Sequence, residues 1–199
     1  MGEAKRRARA YDDAKAKLIA SLSDEGKVVA SSAIGIFEGF IAPQRYTGGC
    51  YLVTMTLHRY LADEHGIKTV PVIGYVNDGT DDIFISHAWL EHEGLKTDLT
   101  LHQTEYPDIQ LPGAVLVMDQ PIRQGVVQHT YHVERTDEGM KAAQRMLAHP
   151  ETAAIAKHKE QEHLDMVDRA QSRALMDAYL QAAPIECGYA AMTAPLRRS

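Results

Sequence analysis

Cysteine is scarce in this chain: its 199 residues include two, Cys50 and Cys187. Two thiols are too few for a disulfide framework or a cysteine-based zinc site. A reducing, cytoplasmic setting is therefore expected. A single Cys50–Cys187 bridge is left open by the sequence and would block Cys50 as a nucleophile. Long apolar runs are missing as well. No stretch of about 18 apolar residues is present to span a bilayer, and no apolar signal core follows the basic start, so no membrane partner is expected. An excess of positive charge is also absent. The formal net charge of −6 argues against a general nucleic-acid binder, and the tract Lys5, Arg6, Arg7, Arg9 reads as a solvated helix face. No GxGxxG or GxxxxGK[ST] loop is there to cradle a nucleotide, and there is no repeat or low-complexity segment.

What is present has the proportions of one compact enzyme-sized domain, with 45% hydrophobic and 24% charged residues. Pattern divides residues 1–199 into a helical lead-in (1–41), an α+β core (42–135) and a helical C-terminal extension (136–199). Helices are expected over about 3–20 and 24–40, the second capped by Ser23 or Asp24. A third, over about 49–65, carries Val53, Leu57, Tyr60 and Leu61 on one face and stops at Gly66. Strands are expected over 69–76, with Pro71 marking an edge or a break, and over 83–91, 95–99, 114–118 and 126–133, giving an antiparallel sheet. Helices over 137–149 and 151–180 follow. The second is long and charged, with a thin apolar face of Leu164, Val167 and Leu175 that could pack on the body or on a second copy in a homo-oligomer.

The chemistry-bearing residues lie in the middle stretch. Gln44-Arg45-Tyr46-Thr47-Gly48-Gly49-Cys50 is followed by Ser86-His87-Ala88-Trp89 and then by Thr97-Asp98-Leu99. A thiol, an imidazole and a carboxylate thus occur in one order. A nucleophilic cysteine needs a base to hold it as thiolate, and the base needs a third group to fix its orientation. Cys50 opens a helix, where backbone N–H groups and the helix dipole favour negative charge. If Glu93-Gly94 is a two-residue turn, Glu91 lies opposite Lys96 and Trp89 opposite Asp98, which makes His87 and Asp98 diagonal neighbours on one face. A three-residue loop with a bulge would send Asp98 to the other face. The competing reading for each residue is structural: a buried packing cysteine, a hydrogen-bonded strand histidine, a surface carboxylate.

Gly48-Gly49-Cys50-Tyr51, His87-Ala88-Trp89 and Asp98-Leu99-Thr100 resemble the transglutaminase-like branch of the papain-like cysteine fold. The resemblance covers roughly residues 44 to 100, about a quarter to a third of the chain. It departs from that family at Leu99, where many members carry proline, and at Tyr51, where tryptophan is frequent. It implies a catalytic helix packed on an antiparallel sheet, with Cys50 as nucleophile, His87 as base and Asp98 as orienter. Gln44, six positions before Cys50, matches the glutamine that supports the oxyanion in papain-like peptidases. The implied chemistry is acyl transfer through a thioester: a cysteine peptidase or amidase if water is the acceptor, a transglutaminase-like or small-molecule acyltransferase if an amine is, the alternative being a non-catalytic binding protein of the same fold. The substrate would be a peptide, a protein or a small acyl compound. Cys187 lacks a histidine nearby in sequence and reads as a bystander.

Five histidines, His87, His92, His102, His129 and His132, fall in the central region and raise the alternative of a metal site. Their spacing does not favour one. His129 and His132 differ by three, which on a strand puts them on opposite faces, and no H-E-x-x-H pattern occurs. Neither metal nor cofactor is expected.

Overall fold

The computed structural model describes residues 2–197. Residue 1, residues 198–199 and the Arg7 side chain of the basic tract lie outside the described residues. The chain is α+β, with a curled antiparallel sheet and several helices. Helix α1 (Gly2–Ser21) is followed by α2 (Asp24–Ile36), whose cap is Ser23: its hydroxyl accepts the Gly26 N–H at 3.1 Å. A cap of this type is worth about 1 kcal/mol. Beyond Ile36 the helix widens into a π turn (Phe37–Ile41) and continues as α3 (Ala42–Gln44), stopping where Arg45 turns left-handed at φ 51°. The helix therefore outruns its expected end. Its added turns bury Phe37, Phe40 and Ile41 in the core.

Helix α4 (Cys50–His65) ends at Gly66, whose φ of 67° is one that glycine adopts without strain. A single apolar face was expected here. Instead α4 is buried almost all round, with β1 (Val70–Asn77) and β2 (Ile85–His92) on one side and α2, α7 (Arg173–Ala182) and α8 (Tyr189–Thr193) on the others. The C-terminal segments supply the second side.

The main sheet has the order β3-β2-β1-β6, with β3 spanning Leu95–Thr97 and β6 spanning Thr130–His132. In β1 and β2, Gly74 pairs with His87 and Val72 with Trp89. Gly74 has to be glycine, because a Cβ there would lie 2.4 Å from the His132 carbonyl and 2.6 Å from the Trp89 ring. Pro71 sits opposite Leu90, in the half of β1 that β6 leaves unpaired, so its missing N–H costs no ladder bond on that side. Residues 114–118 do not extend this sheet as expected. Strand β4 (Val115–Val117) pairs with β5 (Gln120–Arg123), a strand not foreseen, and joins the main sheet through one bridge from Asp98 to Leu116. Of the expected strand 126–133, only β6 forms, because Val126 and Val127 instead donate to the Pro112 carbonyl at 2.8 and 3.3 Å.

The C-terminal extension comprises α5 (Asp137–Ala148), α6 (Ala153–Gln171), α7, α8 and a 3-10 turn (Ala194–Arg197). The single helix expected over 151–180 is broken at Ser172. Ser172 ends α6 by donating its N–H to Asp168 and opens α7 by accepting from the Leu175 N–H. The buried face is Met166, Met176 and Leu180, while Leu164 and Leu175 are exposed. This face packs within the chain, on β1 and α4. Among the described residues no helix is long and apolar enough to cross a membrane.

Candidate active site

Cys50 is the first residue of α4, is half-buried, and is a free thiol, as is Cys187. The approach to it is set by two glycines. Gly48 has φ 70°, a left-handed conformation that side chains resist, and Gly49 is the helix N-cap, its carbonyl accepting the Val53 N–H at 2.9 Å. A Cβ on Gly49 would lie 2.1 Å from Tyr46 Cε1, so glycine here lets the Tyr46 ring close over the backbone leading into Cys50. The N–H groups of the first helical turn have no intrahelical acceptor and are left to stabilise negative charge.

His87 and Asp98 reach Cys50 from the sheet. The β2–β3 hairpin turns at Glu93-Gly94 with φ values of 52° and 77°, the two positive values of a type I′ turn, and pairs Glu91 with Lys96. One residue beyond the β3 ladder, Asp98 exchanges backbone hydrogen bonds with Leu116 at 2.9 and 2.8 Å. Its carboxylate turns to His87, whose Nε2 lies 2.7 Å from Asp98 Oδ2. The alternation of the hairpin thus delivers the pair to one face.

Asp98 is buried, and four donors converge on it. His87 Nε2 and the Tyr131 hydroxyl (2.9 Å) donate to Oδ2, and the Thr100 N–H and hydroxyl (3.0 Å each) donate to Oδ1. Burial alone would raise its pKa, but the positive charge of His87 and these hydrogen bonds hold it below the usual carboxylate range. Burial likewise works to lower the pKa of His87, and the Asp98 carboxylate and the Cys50 sulfur outweigh it, pushing His87 up to about 10. Cys50 is thus close enough to His87 for its charge to act on the imidazole. Because Nε2 is occupied by Asp98, the nitrogen available to the sulfur is Nδ1. A carboxylate fixing one ring N–H and a thiol on the other nitrogen is the arrangement that moves a proton between sulfur and a leaving group.

Three tyrosines lie within electrostatic reach of the sulfur. Tyr46 comes from the loop before α4, Tyr51 from α4 and Tyr179 from α7. Burial, and then for Tyr51 and Tyr179 the charge on Cys50, raise their phenols, Tyr179 to about 12, so all stay protonated at neutral pH. The Tyr51 hydroxyl shares a 2.7 Å hydrogen bond with Ser86 Oγ, which in turn lies 2.5 Å from His163 Nδ1 on α6. His163 stacks on Tyr75 with ring centroids 4.4 Å apart, and Arg135, paired with Glu160, lies over the Tyr75 ring with its Cζ 4.1 Å from the centroid. The C-terminal extension is therefore part of the walls of the site.

Cys187 is half-buried and free, and its charge is among the causes that raise the Tyr46 phenol. Tyr131, Tyr46, Tyr179 and His163 were missed in the sequence. All but Tyr46 lie far from Cys50 in sequence, and no local pattern marks any of them; Tyr46 stood within the quoted motif without an assigned role. Gln44 is exposed at the end of α3, and among the described residues no hydrogen bond ties its side chain to Cys50. No group of three or more His, Cys, Asp or Glu side chains among the described residues is placed to hold a metal ion. No family model, curated protein or solved structure matches this chain.

Proposed function

We propose that this protein is a thiol-dependent acyl-transfer enzyme with Cys50 as nucleophile, His87 as acid and base and Asp98 as orienter, built on a papain-like, transglutaminase-like core. The observation that carries the reading is the buried His87–Asp98 pair at 2.7 Å, which leaves the other ring nitrogen of His87 for the neighbouring Cys50. In the first step the thiolate pair forms a C–S bond and the carbonyl π pair moves onto oxygen. Collapse of that oxyanion expels the leaving group, which takes the His87 proton, and leaves a thioester with neutral imidazole. His87 then takes a proton from water as it attacks, and collapse of the second oxyanion breaks the C–S bond, releasing the carboxylic acid and restoring the Cys50 thiolate beside protonated His87. Hydrolysis is the primary reading because water needs no second binding site, which makes the protein a cysteine peptidase or amidase. An amine in place of water would give a transferase.

The test uses p-nitrophenyl acetate as an acyl probe. The native protein should release a burst of p-nitrophenol stoichiometric with protein, accompanied by an acetyl adduct on Cys50, and Cys50→Ala and His87→Ala should lose it. A burst that persists in folded Cys50→Ala would overturn the reading.

A further inference from the structure

Cys50 and His87 stand on different elements, α4 and β2, and a hydrogen bond joins those elements one residue away from each. The Tyr51 hydroxyl and Ser86 Oγ lie 2.7 Å apart. Tyr51 follows Cys50 and Ser86 precedes His87, so the bond lies one Cα–Cα step of about 3.8 Å from the nucleophile and from the base. Much of what packs α4 on the sheet is apolar, with Leu52, Val53, Met55 and Leu57 sharing one core with Ala88 and Leu90. Apolar contact is non-directional and by itself leaves a helix free to shift along a sheet. A hydrogen bond weakens steeply once its length or angle departs from the preferred range, and so fixes the register.

We infer that Tyr51, Ser86 and His163 form a positioning chain that holds the first turn of α4 in register with β2 and so sets the separation of the Cys50 sulfur from the His87 imidazole. The inference rests on the acyl-transfer reading above. Ser86 Oγ is held a second time, by His163 Nδ1 at 2.5 Å. Each hydroxyl donates or accepts and the imidazole presents either tautomer, so both bonds are made together in either direction along the chain. His163 is itself fixed. It is buried on α6, and its ring stacks on Tyr75 of β1 with centroids 4.4 Å apart and 19° between the planes. Glu160, one turn earlier on α6, takes the Arg135 guanidinium at 3.2 and 2.8 Å, which ties α6 to the segment after β6. Glu160 and Arg135 are the charged groups that act on His163, and burial, the larger influence, lowers its pKa and keeps it neutral at neutral pH.

The consequence for the sulfur is electrostatic. The imidazolium of His87 favours the Cys50 thiolate, and the attraction between the two charges falls with their separation. A loosened register therefore raises the pKa of the thiol and leaves less thiolate at a given pH. The chain also assigns a task to the C-terminal extension, because its anchor, His163, belongs to α6.

The test is the pH profile of Cys50 alkylation by iodoacetamide, which a contact that serves stability alone does not move. Tyr51→Phe and Ser86→Ala should each shift the profile to higher pH by about one unit, so that Cys50 reacts roughly tenfold more slowly on the acid limb and reaches the native rate in alkali. Both break the same bond, so the double variant should react as slowly as either single one and not as the product of the two. His163→Phe keeps a ring for Tyr75 and loses Nδ1, and it should shift the profile likewise. His163→Asn, whose side-chain amide places a polar atom two bonds beyond Cβ as Nδ1 is, should bring the profile back towards native. If Ser86→Ala does not fold, Tyr51→Phe and the two His163 variants carry the same reading. A native profile in folded Tyr51→Phe and His163→Phe would overturn the inference and leave the acyl-transfer reading standing. Shifts that add in the double variant, or a rate that falls equally at every pH, would also overturn it, the second by showing altered access to the thiol. A native profile that His87→Ala leaves in place would overturn the acyl-transfer reading as well.

Discussion

Asp98→Asn is the perturbation whose consequence follows most closely from the geometry. Asp98 Oδ1 accepts the Thr100 N–H and hydroxyl, and Oδ2 accepts from His87 and Tyr131. An amide carries one acceptor and one donor end. With its oxygen on the Thr100 N–H, the NH2 faces His87 Nε2, which must then give up its proton and become an acceptor. The ring is left as the Nδ1–H tautomer, with a proton where it should receive one from Cys50. With the amide reversed, the NH2 opposes a backbone N–H that has no rotational freedom, and a buried donor is left unpaired at about 1–3 kcal/mol. The first arrangement therefore wins, and the fold survives with the wrong tautomer. Loss of the carboxylate also removes the attraction that holds His87 at about 10. A return towards the ordinary 6.5 is a loss of roughly a thousandfold in proton affinity, at about 1.4 kcal/mol per tenfold. The assay is the rate of Cys50 alkylation by iodoacetamide as a function of pH, read by peptide mass spectrometry. Native protein should react well at pH 6, and Asp98→Asn should lag by roughly a thousandfold there while approaching the native rate in alkali. An unchanged pH profile in folded Asp98→Asn would refute the reasoning.

Other perturbations read other parts of the site. Tyr131→Phe removes one of four donors from a buried carboxylate and should cost about 1–3 kcal/mol in urea unfolding, and a stability equal to native would show that the hydrogen bond contributes nothing. Gly49→Ala places a Cβ 2.1 Å from the Tyr46 ring and should destabilise by about 1–3 kcal/mol, as overpacking does, which the same unfolding measurement checks. Burial lowers the pKa of His58, His102, His129 and His163, His102 to about 4. The unfolded chain binds more protons than the folded one below their ordinary 6.5, so stability from these groups is lost as pH falls from 6.5 towards 4. His87 has the opposite sign: its contribution is full below 6.5 and is lost as pH rises through about 10. Thermal melts followed by circular dichroism should therefore drop on the acid side between pH 6.5 and 4, and a flat profile across that window would contradict the assignments.

The parts of this fold legible in the sequence are those set by short-range rules. Helix α4 begins at Cys50 and ends at Gly66 because an N-terminal glycine pair and a left-handed glycine bound it. The hairpin and the facing of His87 and Asp98 follow from two-residue alternation about Glu93-Gly94. Strand β5 was not legible, since its turn is Met118-Asp119, with φ values of 52° and 61°, and lacks the Asn or Gly that usually marks positive φ, while Pro121 lies in the strand itself. Ser172 splits one expected helix into two because a serine that ends one helix and caps the next looks, in sequence, like a serine in a helix. The tyrosines within electrostatic reach of the sulfur, and Cys187, are contributed by the loop before α4, by α4, by α7 and by the turn before α8. Which of them meet is decided by packing over long sequence separations.

An activated thiol at Cys50 is the central claim, and the two cysteines of the native protein form an internal comparison. Brief labelling with substoichiometric iodoacetamide at pH 6, followed by peptide mass spectrometry, measures their relative rates in one sample. Cys50, held by the His87–Asp98 pair, should be alkylated at least tenfold faster than Cys187, and His87→Ala should abolish the difference. Equal labelling of the two thiols, or faster labelling of Cys187, would contradict the central claim.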